Sequence, residues 1–556
     1  MVRFGGRAVG LLLAVLSMFV VAACGGDDGG DGGGGGGGGS GEAKQGGSIT
    51  IAQTSQPDYL DPALSYTVNG WEPMWLVYTP PVTYKRAEGV EGTELIPGVA
   101  EEVPEISKDG KTVTFTMRKG VKFSDGTPLK ASDFEHTIKR VLNLESAATG
   151  FFTVIEGAEE YVAAGKADAD IPGIETDDQT GEVTIKLTKK DGTILNVLAM
   201  NFAGVVPSST PFKILSADPP PGIGPYKITS SVPNREFVME KNANFDLPGI
   251  PKGNVDKITT KIVKSAERQT QDVISGELDF MQDPPPADLL PQVKAEYSDR
   301  YEDQKPINVY YFFMNVTVPP FDKKEVRQAV NYAVDSRALS RLFGGRLAPG
   351  CNFLPPGLQG YKEADPCPYG DPNEPGDLEK ARQLITEAGA KGESVDVYTN
   401  NDENRPEIGQ YLADLVDKIG MKANLKIIDG GVYFQTVGND KTKAAIGATN
   451  WFQDFPHPAN FLFLIDGDTN QPTNNYNYSR ADDQELDKLI EEVEAAPADG
   501  ATEQAAEADK YAVEEGYIAP YGTETVATFM SERMDFENCS LFHPVYQNDY
   551  SSFCLK

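Results

Sequence analysis

The most pointed chemistry in the chain is one carboxylate set among aromatic residues. In Thr449-Asn450-Trp451-Phe452-Gln453-Asp454-Phe455-Pro456-His457-Pro458-Ala459-Asn460-Phe461-Leu462-Phe463-Leu464-Ile465, Asp454 stands between Phe452 and Phe455, and the stretch holds no Lys or Arg. Such an acid is costly to desolvate unless a cation or hydrogen-bond donors meet it. The protein supplies that partner from elsewhere, or a ligand does. Pro456 and Pro458 take the backbone out of any regular ladder at this point. Two plainer readings stand beside the binding one. Asp454 would cap a helix starting near Ala459, and Trp451, one of three tryptophans, would be an ordinary core residue.

Searches for catalytic constellations return little. The three histidines, His136, His457 and His543, are not at metal spacing from one another. G-x-S-x-G, H-E-x-x-H and a Walker loop are absent. The 83 Asp and Glu against 50 Lys and Arg give a formal charge of −33, which disfavours nucleic acid as a partner because phosphates need cations. Scattered acids read mostly as solvated surface. A two-carboxylate glycosidase site is not excluded by sequence, but a chain of this size without a signature reads as a binder rather than an enzyme, with no cofactor.

Five cysteines need accounting. Arg3 and Arg7 precede the uncharged run 9–23, the layout of a secretory signal. Val21-Ala22-Ala23 leads directly to Cys24, which resembles the lipobox of bacterial lipoproteins, where the signal is cut before a Cys that carries lipid. The competing reading is an uncleaved membrane anchor, for which the run is short. Residues 24–46, with glycine unbroken from Gly32 to Gly39, cannot bury apolar surface and read as a tether. The other cysteines fall in two local pairs, Cys351 with Cys367 and Cys539 with Cys554. Export permits disulfides. Each bridge closes a loop of about 15 residues, worth on the order of 3 kcal/mol, and neither pair has the C-x-x-C spacing of zinc sites.

These residues need a scaffold, and 556 residues make more than one domain. A short strand is expected at Ser48 to Ala52, then a loop at Ser65 to Gly70 and a helix over Trp71 to Tyr78. Val113, Phe115 and Met117, and later Val183, Ile185 and Leu187, alternate as half-buried strands do. Ser132 and Glu135 form a capping box ahead of an apolar helical stripe. Asn308 to Val316 is β-prone, and Lys324 to Phe343 carries one long helical stripe ended by Gly344-Gly345. Asp377 caps a further helix. Strands then alternate with helices through Val493, which argues an α/β chain.

At this point the residues match a family. Leu95-Ile96-Pro97-Gly98-Val99-Ala100-Glu101 and the run from Lys108-Asp109-Gly110 to Gly126-Thr127-Pro128-Leu129 resemble the signature of extracellular solute-binding proteins, family 5. Gly222-Ile223-Gly224-Pro225-Tyr226 is similar to the family's G-T-G-P-Y turn. Val326 to Asp335 is similar to its V-R-Q-A helix, Leu378 to Gly389 to its E-A-G helix, and Trp451 to Pro458 to its W-x-x-D-Y-P-D-P segment. The resemblance runs from about Gly47 to the C-terminus.

The resemblance implies an α/β, two-lobed periplasmic-binding-protein clamshell (type II, cluster C) with an extra domain inserted in the first lobe. Residues 1–23 are then a lipoprotein signal peptide and 24–46 a tether. Lobe one takes 47–305, its insert about 79–221; lobe two takes 306–507, and 508–556 return to lobe one. It implies a monomeric, lipid-anchored substrate-binding protein on the outer face of the bacterial cell membrane. The protein captures an oligopeptide or dipeptide between its lobes and delivers it to an ABC permease with its own ATPase. Alternatives are an oligosaccharide or other solute on the same fold, and a surface receptor in signalling without transport. In peptide-binding members the Asp matching Asp454 pairs with the ligand's α-ammonium. Trp451 would be an aromatic wall, Asn450, Phe452 and Gln453 backbone partners of an extended ligand, and Thr67 and Asn69 cleft-facing contacts. Two departures stand out. His457 replaces the motif's second Asp, which bears on ligand charge preference, and Ile223 replaces Thr. Nickel is disfavoured, since no histidine or methionine cluster offers ligands. No particular Arg or Lys is marked for a ligand carboxylate.

Overall fold

Strands form here where β-branched and aromatic residues alternate or run together, and among the described residues they gather into two large sheets, a four-stranded one and two of two strands. The computed structural model describes residues 44–215, 218–402, 404–497 and 500–556. The signal, Cys24 and the tether up to residue 43 lie outside the described residues.

The first large sheet has seven strands. In spatial order they are Tyr301–Gln304, Val526–Met530, Phe280–Met281, Ser48–Gln53, Lys257–Ile262, Glu236–Lys241 and Tyr226–Val232. The second has six: Leu347–Pro349, Ile518–Glu524, Asn308–Met314, Ile446–Phe452, Ser394–Asn400 and Lys422–Ile428. Asn308–Met314 is buried along its whole length, as expected of a central strand covered on both faces. A four-stranded sheet, built from segments between Glu105 and Lys186, packs with the helix Ala131–Asn143 around its own share of the core.

Two adjacent crossings join the large sheets. The chain leaves the first between Gln304 and Asn308 and returns between Glu524 and Val526. Gln304 pairs with Val526 on one side and Tyr310 with Gly522 on the other, so the crossings run antiparallel, side by side. The Asn308 side chain ties them, donating to the Glu524 carbonyl at 2.7 Å and accepting from the Glu524 N–H at 2.8 Å. The return therefore lies at Thr525, not near residue 508. The reason is packing: helix Thr502–Glu515 buries Ala505, Ala508 and Ala512 in the second lobe's core, and Ile518–Glu524 then enters its sheet.

Two local expectations also change. The stripe from Lys324 to Phe343 is two helices, Lys324–Ala333 and Ser336–Leu342, because Asp335 stops the first and caps the second by accepting from the Ala338 N–H at 3.0 Å. At the start of helix Ala131–Asn143 the Lys130 N–H donates to Asp133 Oδ2 at 2.9 Å, while Ser132 donates to Asp178 instead. The bridges Cys351–Cys367 and Cys539–Cys554 are both formed, with Cα atoms 5.9 and 5.5 Å apart.

Candidate ligand-binding cleft

A cavity of about 240 Å³ lies between the two large sheets, with walls from both. Asp454, Trp451, Asn450, Phe452, Gln453, Thr67 and Asn69 all line it. Strand Ile446–Phe452 carries the second-lobe residues to its edge. The ladder ends as the Gln453 N–H donates to the Ile307 carbonyl at 2.9 Å. The chain then turns, and Asn460 fixes the next residue twice: its Oδ1 accepts from the Asp454 N–H at 2.7 Å, and its Nδ2 donates to Asp454 Oδ2 at 2.9 Å. Helix Ala459–Leu462 starts at Pro458 without a side-chain cap, so Asp454 is not its cap.

Asp454 is 6% exposed. Its second donor comes from the other lobe, the Tyr66 hydroxyl, 2.9 Å from Oδ2. Among the described residues it has no cationic partner. Burial pushes its carboxyl up to about 7, against the smaller opposing pull of the Asn460 and Tyr66 hydrogen bonds. An acid left this way is poised to ionise when a cation arrives and water leaves.

Tyr66 was not picked out in the sequence, although its loop was. Asp58 shapes that loop by accepting from the Tyr66 N–H at 2.8 Å and the Thr67 hydroxyl at 3.0 Å. The Tyr66 ring stacks on Trp71 (centroids 5.5 Å apart) and meets Trp451 edge-on at 5.4 Å and Tyr476 at 5.0 Å. It is thus the hub of an aromatic box drawn from both lobes. Trp451 also packs on Phe463 at 5.2 Å, so it is at once a core residue and a cleft wall. Thr67 and Asn69 line the cavity with their side chains engaged inside lobe one, Asn69 donating to the Ser55 carbonyl at 3.0 Å. Gln453 donates across the lobes to the Pro544 carbonyl at 3.4 Å.

Arg405, also missed, is the only Lys or Arg among the described lining residues. It starts helix Arg405–Lys418, donates to Asn450 Oδ1 at 2.9 Å and lies over the Tyr310 ring, 4.9 Å from its centroid. No motif marked it, because its place depends on a turn between a strand and a helix. His457 is 1% exposed and does not line the cavity. Its Nδ1 accepts from the Ala459 N–H at 3.1 Å, so its Nε2 carries the proton and donates to the Ala496 carbonyl at 3.0 Å. The departure from the motif therefore sits in the second lobe's framework and not against the ligand space. A second cavity, about 400 Å³, lies between the four-stranded domain and lobe two, beyond Phe455 and Tyr476.

With this geometry in hand, comparison with known proteins gives a consistent answer. Residues 94–473 match the model of bacterial extracellular solute-binding proteins, family 5. The heme-binding protein A of Haemophilus influenzae is 29% identical over 438 residues, covering 75% of this chain and 76% of that protein. The dipeptide-binding protein DppE of Bacillus subtilis is 26% identical over 477 residues, covering 81% and 82%. Among solved structures, the clavulanic acid biosynthesis oligopeptide binding protein 2 superposes with a TM-score of 0.79 at 23% identity, over 92% of this chain and 96% of that one. The chain belongs to the family 5 bacterial extracellular solute-binding proteins and has their mixed α/β, cluster C binding-protein fold. It is the extracytoplasmic solute-binding component of an ABC importer, not an enzyme.

Proposed function

We propose that this protein captures short peptides by their free amino end and hands them to a membrane permease, held at the membrane by lipid on Cys24. The observation that carries the reading is Asp454, a buried carboxylate on the cleft wall that, among the described residues, meets two neutral donors and no cation. A peptide's α-ammonium supplies what the protein withholds. Arg405 suits the other end, since a guanidinium takes a carboxylate in two parallel hydrogen bonds. Its partner Asn450 lies four residues from Asp454, at most about 13 Å along an extended strand, the span of a peptide of a few residues. The aromatic box between them tolerates many side chains, in keeping with recognition through the backbone.

The test compares tri-alanine with N-acetyl-tri-alanine by calorimetry on wild-type and Asp454→Asn protein, alongside mass spectrometry of whatever co-purifies. Wild type should bind the free amine about a hundredfold more tightly, the loss expected when one partner of a desolvated charge pair goes. Asp454→Asn should remove most of that preference. Equal binding of both peptides by wild type, or recovery of sugars alone from gently purified protein, overturns the reading.

A further inference from the structure

The lobes also meet outside the cleft, at the second cavity. There the four-stranded domain, carried by lobe one, touches the end of a lobe-two helix. Asp191 builds the contacting turn by accepting from both the Thr193 N–H and the Thr193 hydroxyl at 2.7 Å. This leaves the Gly192 N–H pointing outward, and it donates to the Glu494 carbonyl at 2.8 Å. Glu494 is the last residue of helix Gln484–Glu494, so its carbonyl is one of those a helix cannot satisfy internally. Lys189 adds its ammonium 3.1 Å from the Glu494 carboxylate, a cation at the negative end of a helix, where it is favoured.

The glycine has a specific reason to be there. Its φ is not in the left-handed region, so the backbone does not demand it. A Cβ at 192 would instead lie 2.3 Å from the Ala496 carbonyl oxygen and 3.0 Å from that of Glu494. Both obstructing atoms belong to lobe two, so the clash arises only when the lobes are together. The receiving turn is itself held from behind, because His457 Nε2–H donates to that same Ala496 carbonyl. This gives the residue that departs from the family motif a task.

We infer that the Lys189–Thr193 turn is a closure latch: it docks on the end of helix Gln484–Glu494 when the cleft shuts and sets how long ligand is held. The latch rests on the lobes closing over a solute, not on that solute being a peptide. Gly192, Lys189 and His457 are positioning residues that touch no ligand.

The test is Gly192→Ala, with Gly150→Ala as a matched control. Gly150 lies in the same inserted domain, and a Cβ there meets nothing within 4 Å. Lys189→Met is a milder second lesion in case the first disturbs the local turn. Ligand-free melting temperatures should agree across all four proteins. Gly192→Ala should release tri-alanine roughly tenfold faster in stopped-flow tryptophan fluorescence, and Lys189→Met a few-fold faster, with association little changed. Gly150→Ala should match wild type. In small-angle scattering, Gly192→Ala should be more expanded than the control. Equal release rates for Gly192→Ala and Gly150→Ala overturn the latch. If wild type fails to bind tri-alanine, the peptide reading falls instead, and scattering of the two variants saturated with the solute that co-purifies with wild type decides the latch. Identical profiles for Gly192→Ala and Gly150→Ala then overturn it.

Discussion

Glu524 and Asp454 line the same cavity, and each is almost fully buried, 5% and 6% exposed. Each also accepts from a tyrosine hydroxyl, Glu524 from Tyr310 and Asp454 from Tyr66. They differ in what stands behind them. Glu524 is ion-paired with Arg346, itself buried, while among the described residues Asp454 has only the neutral donors Asn460 and Tyr66. One acid is neutralised by its own lobe and ties the crossing strand in place. The other is left with its charge unmet at the seam between lobes. A binding protein gains from that asymmetry, because an unpaired acid rewards a cationic ligand, whereas a paired one does not.

The comparison can be broken most forcefully at the paired acid. Arg346→Met strands Glu524 in a buried setting, and removing one partner of a buried pair costs about 3–5 kcal/mol. Urea unfolding at pH 7 should show a loss of that size, with wild-type preference between free and acetylated peptides kept. A loss under about 1 kcal/mol would mean that Glu524 is no better anchored than Asp454, and the contrast would fail.

Asp454→Asn should do the opposite to stability. Its carboxyl is raised from 3.8 to about 7 by burial, so between those values the folded protein holds a proton that the unfolded chain has lost. Stability therefore falls as pH rises through that window and levels off above it. Removing the acid should stabilise ligand-free protein by roughly 2 kcal/mol at pH 8, after allowing for weakened hydrogen bonds, and by almost nothing at pH 4. A destabilised variant at pH 8 would assign Asp454 to the framework.

How much of this was legible follows from how the parts are brought together. Asp454, Trp451, Asn450 and Gln453 share one strand end, so a single local motif exposed them. Tyr66 reaches Asp454 across 388 residues of sequence, and only the docking of two lobes makes that pair. Arg405, the first residue of a helix, and Tyr476, in a connecting segment, are in the same position: tertiary packing decides where each points. The helix break at Asp335 was hidden because Leu339 and Leu342 continue the apolar stripe of Val330, Ala333 and Val334 past it. The return crossing was placed too early because Ile518–Glu524 is apolar enough for either sheet. His457 was read as a change in the ligand's surroundings, since sequence adjacency to Asp454 suggested it, but the turn at Pro456 sends it the other way, toward Ala496.

The finest distinction between the two acids is a proton. When an ammonium pairs with Asp454, the ionised form is favoured and the raised value falls, so binding near pH 6 should expel a proton that the empty cleft holds. Calorimetry of tri-alanine in two buffers of different ionisation heat should find close to one proton released at pH 6, turning to a net uptake of about half a proton at pH 8, where the peptide's own amino group is half neutral. Affinity should rise roughly tenfold between pH 6 and 7.5. Glu72 complicates the reading, because it also lines the cavity and burial raises it, too, to about 7. Its carboxylate is engaged by the Asn548 N–H and side-chain amide, both at 3.2 Å, and by the Tyr550 hydroxyl. Those contacts bind the C-terminal segment to helix Val68–Val77 and leave it little room for a ligand's ammonium. Asp454→Asn should therefore abolish the release while Glu72→Gln leaves it intact. The reverse result would move the ammonium site to the first lobe, and Asp454 would become a second acid of the Glu524 kind.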